Sequence, residues 1–312
     1  MAGPAFLKQN YSDLYGSSQL PALEWLFRHE LPMHEGIRGR LAQNKSTTRD
    51  IWQMSSTHDL DMFVRVEEGE DYSFVTNRQG ASKTLTINKY GLGISISEEA
   101  IADGKFDELA DLMKKLARSA QESREIAFVN LFNNGFSTET TPDGVSIFNA
   151  NHTFPSGRTM SNVLPVASDL SESSLQTARY LFSTVFIGDT GIIYKMKPKK
   201  LLVHPANEAY AEELVGSSLK PDTNDNNLNS LLKHRIEVIS SPHLTDEDAW
   251  FVLAEAGDSV GPGCVIIERE GIVTKAGGPG VGFMNDSVLY KSRYRENMGW
   301  IHPYGIIASA GA

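Results

Sequence analysis

Residues 106–132, FDELADLMKKLARSAQESREIAFVNLF, run without a single glycine or proline. Leu109, Leu112, Met113, Leu116, Ala120, Ala127 and Leu131 recur at helical spacing. Asp107, Glu108 and Asp111 occupy the first turns, where the positive end of the helix dipole favours carboxylates. At about 1.5 Å per residue, such a helix spans roughly 40 Å, well beyond the usual globular length of about 11 to 12 residues. The polar run SAQESRE interrupts any heptad, so a coiled coil is a poor solution. A spine helix lying across a sheet suits the pattern better.

The flanking segments supply the sheet. From residue 62 the apolar period becomes two: MFVRVEEGEDYSFVTN sets Val64 and Val66 against Arg65 and Glu67, and KTLTINKYGLGISIS alternates around Leu85, Ile87, Leu92, Ile94 and Ile96. With NRQGAS carrying a turn at Gly80 between them, residues 62–96 are predicted to form a long β-hairpin with a polar, basic tip at Arg78 and Lys83. A two-stranded hairpin is marginal alone and needs a partner surface. Residues 1–61 are mostly polar, with one short amphipathic helix around Leu23, Leu26 and Phe27, and read as an arm that orders against neighbours. After the spine, DLSESSLQTARYLFSTVF is a second amphipathic helix. Strands follow at LLVH, IEVISS, AWFVLAEA and GCVIIERE, with the helix ANEAYAEELVG between the first two, and the chain closes on SVLYKSRYRENMGWIHPYG. The class is α+β.

The chain has 312 residues, enough to bury a sizeable core, and a net charge of -10. That balance excludes a general nucleic-acid binder, which needs surplus Lys and Arg. It suits a container that must not adhere to its contents. The single cysteine, Cys264, rules out an internal disulfide, and it opens the apolar run CVIIE of a buried structural residue. The N-terminus has neither the basic segment nor the apolar core of a secretory signal, so the sequons at Asn10, Asn44, Asn151 and Asn285 are read as chance matches. No apolar run is long enough for a transmembrane helix.

Motifs that imitate chemistry fail on spacing. RHELPMH holds His29, Glu30 and His34, but Met33 stands where a zinc-protease helix needs its second histidine. DTNDNNLNSLLK places Asp222, Asn224 and Asn226 like a calcium loop, yet Asn227 and Lys233 replace the required Gly and bidentate Glu. AGGPGVG has no following Lys-Ser or Lys-Thr and is read as a turning loop; no GxSxG elbow exists. Residues 132–157, FNNGFSTETTPDGVSIFNANHTFPSG, concentrate Asp143, Asn149, Asn151 and His152. Asp143-Gly144 reads as a tight turn, and His152 is the only strong ligand candidate, so the segment is read as a loop tied to its own backbone. No cofactor or metal site is expected.

The order of these parts resembles the major capsid proteins of tailed bacteriophages, the Hong Kong 97-type fold. LFNNGF at the end of the spine, then DGVSIFNANHTFPSG, KPKKLLVHPANEAYAEELVGS and SSPHLTDEDAWFVLAE, are similar to blocks of phage major head subunits in the same order. The resemblance implies an N-terminal arm (1–61), an E-loop hairpin (62–96) that reaches over a neighbouring subunit, and a P-domain (97–193) around the spine. It further implies an A-domain (194–271), and C-terminal strands (272–312) returning to the P-domain. It implies no enzymatic activity. The partners it implies are copies of the chain in hexamers and pentamers, a scaffolding protein and portal during assembly, and packaged double-stranded DNA without sequence-specific contact, with no membrane. The place implied is the virion capsid, assembled in the bacterial host cytoplasm.

Arg78, Lys83 and Lys89 on the hairpin, with Asp222, Asn224 and Asn226 on the polar excursion SSLKPDTNDNN, are the candidate inter-subunit contacts. Asp143, Gly144 and His152 form the candidate structural loop. The arm is too short to be a fused scaffold, so a separate scaffolding protein is implied, and no partner for a Lys–Asn cross-link can be identified. Two other readings compete: a same-fold cellular nanocompartment shell around a cargo enzyme, and a metal-dependent hydrolase built on His152 and Asp143.

Overall fold

The computed structural model describes residues 20–34, 36–57, 60, 62–72, 74, 79–97, 99, 106–194, 196–217, 231, 235–255, 261–277 and 287–312. In chain order the elements are α1 (Leu20–Glu30), the single turn α2 (Arg38–Leu41), β1 (Gln43–Ser46), β2 (Ile51–Thr57), β3 (Gln79–Thr86), β4 (Asn88–Ser97) and the spine α3 (Phe106–Asn133). After the spine come β5 (His152–Thr153), β6 (Thr159–Met160), α4 (Glu172–Thr184), β7 (Lys200–Val203), α5 (Glu208–Gly216), β8 (Glu237–Ser240) and β9 (Trp250–Leu253). The chain ends with β10 (Cys264–Ala276), β11 (Ser287–Trp300) and β12 (Ile306–Ser309).

Two four-stranded sheets organise the molecule, in the orders β1-β10-β11-β4 and β12-β9-β7-β8. In the second sheet, consecutive residues serve opposite faces because side chains alternate across a strand. Leu202, Phe251, Leu253, Ile306 and Ala308 enter one core, whereas Leu201, Val203, Trp250, Val252 and Ile307 enter another. Strands buried on both faces read as continuous apolar runs, which is why KLLV, WFVL and IIAS show no alternation. The helix α4 seals the outer core with Leu175, Ala178 and Phe182. Its N-terminus is closed by Ser171, whose hydroxyl accepts from the Ser174 amide in a reciprocal capping box.

The spine α3 joins the two sheets. Met113, Leu116 and Ala117 meet Ile96, Val288 and Tyr290 of the first sheet together with Phe27 of α1. Farther along, Phe128, Val129 and Phe132 meet Trp300, Cys264 and Phe251. Phe132 stands edge-on to both Phe251 and Trp300, with ring centroids 5.3 Å apart in each case. Leu112, expected on the buried stripe, is 36% exposed, while Phe128 and Phe132 are fully buried.

The hairpin reading is corrected by the strand pairing. β3 pairs antiparallel with β2, and β4 pairs with β11, so the described residues of 62–77 do not pair with 83–97. Gly80 lies inside β3 rather than in a turn. Among the described residues, 62–72 contain no strand. The segment read as a loose arm instead contributes α1 against the spine, β1 as a parallel edge beside β10, and β2 beside β3. β1 and β2 were invisible because QNKS and IWQMSST lie at sheet edges, where one polar face conceals the period. The C-terminal residues also divide: β10 and β11 stay with the spine, but β12 crosses to the second sheet beside β9.

Candidate functional site

The loop after the spine is built from its polar residues. Gly144 adopts φ +85°, open to glycine at no cost, and its amide donates to the Thr141 carbonyl at 3.0 Å. Asp143 gathers the Thr141 hydroxyl, the Val145 amide at 3.4 Å and His152 Nδ1 at 2.6 Å. On the far side of the same ring, Nε2 donates to the Ile147 carbonyl at 3.0 Å. That carbonyl also accepts from Asn162 Nδ2 at 2.6 Å, and Asn162 Oδ1 accepts from the Asn149 amide at 3.0 Å. Burial works to raise the Asp143 pKa, but the bonds from His152 and Thr141 outweigh it and hold the carboxyl below its usual value.

This geometry ties the loop to its own backbone and side chains. His152 is completely buried, and both its ring nitrogens are within hydrogen-bonding distance of protein oxygens, Asp143 Oδ2 and the Ile147 carbonyl. Among the described residues, no three His, Cys, Asp or Glu side chains converge as metal ligands. The loop's product is the placement of Ile147 and Phe148 in the core. Phe148 lies so close to Gly135 that a Cβ there would stand 2.3 Å from its ring. Cys264 is equally inert, since burial pushes its thiol pKa far up.

The candidate contact residues separate. The Lys83 ammonium donates to the Thr140 carbonyl, and burial lowers its pKa against the pull of Glu139. Lys83 is therefore tied to the loop after the spine within its own chain. Lys89 is exposed on β4, opposite Arg295 of β11. Arg78, Asp222, Asn224 and Asn226, like most of the AGGPGVG loop, lie outside the described residues.

Two features went unread in the sequence. First, Arg124 in the polar run of the spine reaches Glu296 of β11, with Nε 2.9 Å from both carboxylate oxygens, and Glu268 of β10 at 2.8 Å. Arg38 joins the same Glu296 at 3.2 Å, and the Arg124 guanidinium stacks 5.3 Å from the Tyr294 ring. Glu296 is only 1% exposed, so this buried cluster fixes how the spine sits on its sheet. Arg124 and Glu125 occupy the buried face at helical spacing from Ala117 and Phe128, which is the signal that a polar reading of SAQESRE passes over. Second, Met62, Phe63, Val64, Tyr72 and Phe74 are all exposed, Phe63 and Phe74 almost completely. So many large apolar side chains in one short stretch mark a surface awaiting a partner.

The structure superposes on the virus-like particle from Pyrococcus furiosus at a TM-score of 0.56 and 12% identity, covering 92% of this chain and 97% of that one. It superposes on the capsid of a native GTA particle at 0.58 and 12% identity, covering 89% of this chain and 90% of the other. For Microbacterium phage Oxtober96 the values are 0.54 and 11%, covering 87% and 89%. The fold is the Hong Kong 97-type capsid fold.

The profile of the family described as phage capsid protein matches residues 80–309, so the chain belongs to that family. It is a structural capsid protein. No curated protein matches the sequence.

Proposed function

We propose that this chain is the major head subunit of a tailed bacteriophage, closing through hexamers and pentamers into an icosahedral shell around double-stranded DNA. The observation that carries this reading is the family match over residues 80–309, which takes in the whole spine and every strand of the two four-stranded sheets except β1. The acidic balance of -10 supports it, because a shell wall with little surplus positive charge lets packaged DNA enter and leave. A separate scaffolding protein and a portal take part in assembly, which proceeds in the host cytoplasm, and the finished shell has no catalytic work.

Within this reading the E-loop is the exposed stretch around residues 62–74 with β3 and β4, and the P-domain is the spine with the first sheet. The A-domain is the second sheet with α4 and α5; its boundaries shift from the sequence reading because α4 packs on that sheet's outer face, whereas β10 pairs into the first sheet. Electron microscopy of the chain expressed with and without a scaffolding protein tests the proposal. Shells with nuclease-protected DNA after infection support it. Uniform small particles filled with protein would instead establish a cargo-enclosing nanocompartment, a reading compatible with the likeness to the virus-like particle.

A further inference from the structure

A cavity of about 330 Å³ opens where five stretches of chain converge: the start of β3, the loop after the spine, the turn after β5, the turn at residues 188–191 and the connection from β11 to β12. Three of its lining residues are prolines, Pro142, Pro155 and Pro303, which have no amide proton to offer. Neighbouring amides are spent within the chain. Phe154 donates to the Arg158 carbonyl, Tyr194 to the Phe186 carbonyl and Ile301 to the Gly263 carbonyl, all at 2.8 Å. The wall is therefore poor in donors.

Acceptors and aromatic faces take the donors' place. Asp143 and Asp189 both line the cavity, and no Lys or Arg lines it with them. Burial opposes ionisation of Asp143, yet its bonds from His152 and Thr141 keep the carboxyl ionised at neutral pH. Asp189 Oδ1 accepts from the Ser156 amide at 3.0 Å, which fixes the second carboxylate. His302 on the same wall is a neutral imidazole, because burial, with Lys45 nearby, lowers its pKa to about 4. Its Nδ1 is enclosed and has no hydrogen-bond partner among the described residues. Tyr304 anchors the apolar side, stacked parallel to Phe154 with centroids 6.0 Å apart and edge-on to Tyr194 at 5.1 Å. Arg158 comes near without lining the cavity: a Cβ on Gly191 would stand 3.1 Å from its guanidinium.

We propose that this cavity binds a small aliphatic diamine, with one ammonium at Asp189, the other toward Asp143, and the methylenes against Tyr304 and its aromatic neighbours. An anion would meet two carboxylates and few donors. A neutral apolar ligand would strip water from both carboxylates and give nothing back. An ammonium brings three donors to a wall made of acceptors, and aromatic faces attract it as well. The volume lies near the lower end of ligand pockets, about 300 to 1,000 Å³, which suits a short chain. The site stands independently of the capsid reading.

Calorimetric titration of the full-length subunit with putrescine at neutral pH and physiological salt tests it, with the matching butanediol as an uncharged control. One putrescine per chain is expected to bind, and butanediol about tenfold or more weakly. D189N removes one charge but keeps an oxygen for the Ser156 amide, and should weaken putrescine about tenfold or more. Ala81 is exposed on β3 and lines the cavity, so A81F fills the space and should abolish binding without touching a charge. Nuclear Overhauser contacts from the putrescine methylenes to the rings of Tyr194 and Tyr304 are expected in the wild type. Absence of saturable binding up to about 10 mM overturns the proposal. Equal affinity for butanediol overturns it too, as does unchanged affinity in either variant. Binding of many putrescines per chain that D189N leaves unaltered is general counter-ion association, and also ends it. Should A81F fail to fold, D189N and the butanediol comparison decide. None of these outcomes bears on particle formation, so the capsid reading stands or falls separately.

Discussion

His152 shows how a single side chain can resemble a reagent and act as a strut. Its imidazole bridges Asp143 and the Ile147 carbonyl inside the protein, so removing it takes a partner from each and leaves a cavity where the ring was packed. His152→Ala is expected to destabilise the unassembled subunit by about 2–4 kcal/mol and to lower shell yield, measured by urea unfolding and particle counts. The Asp143 pKa is depressed in the folded state, so its contribution is complete above the unfolded carboxyl value and is lost as pH falls through the folded one. Asp143→Asn should therefore cost about 1–3 kcal/mol at neutral pH, with a gap from wild type that narrows below about pH 4.

His302 acts in the same direction by a different route. Burial, with Lys45 nearby, lowers its pKa from 6.5 to about 4. An unfolded imidazole binds a proton throughout that window and the folded one does not, so stability is complete above pH 6.5 and falls as the pH drops toward 4. His302→Gln is expected to flatten thermal stability across those pH values, read from melts in a buffer series. Of these groups, Asp143-Gly144 was legible from the sequence as a turn. The partner of His152 was legible only as a neighbour, since the ring's burial depends on the core beneath it.

At the scale of elements, the spine was readable almost to the residue, because one amphipathic stripe repeated over 28 residues states its own period. The strand partners were not readable. β3 and β4 were joined to a stretch that happens to alternate, while their true partners, β2 and β11, lie on either side of that stretch or far along the chain. Sequence alternation identifies a strand's faces and says nothing of who sits beside it. The Arg124 cluster belongs to this scale, since it locks an element to a sheet. Arg124→Met should destabilise by about 3–5 kcal/mol by stranding Glu296, whereas Arg124→Met with Glu296→Leu should recover most of the loss. Equal destabilisation of the single and double variants in denaturant unfolding would show that the cluster is not acting as a charge pair.

At the scale of the molecule, the two sheets share one helix, and the exposed apolar side chains of residues 62–74 belong to none of the hydrophobic cores. Stability and assembly are therefore separable. Replacing residues 62–74 by a short Gly/Ser linker should leave subunit stability within about 0.5 kcal/mol, because those side chains contribute nothing to the internal core, while abolishing particles in electron micrographs. A large loss of stability would show that the stretch packs on its own subunit. No described helix is long and apolar enough to cross a membrane.

The sequence alone determined the spine, the order of the helices and longer strands after it, the turn at Asp143-Gly144 and the membership that their order implies. Each of these is written in local periods and short-range turn chemistry, which need no partner to be read. Only the tertiary structure decided that β3 pairs with β2 and β4 with β11, that β12 crosses to the second sheet, and that Arg124 is buried. Those outcomes depend on which residues meet across hundreds of positions, and local pattern places no constraint on that choice.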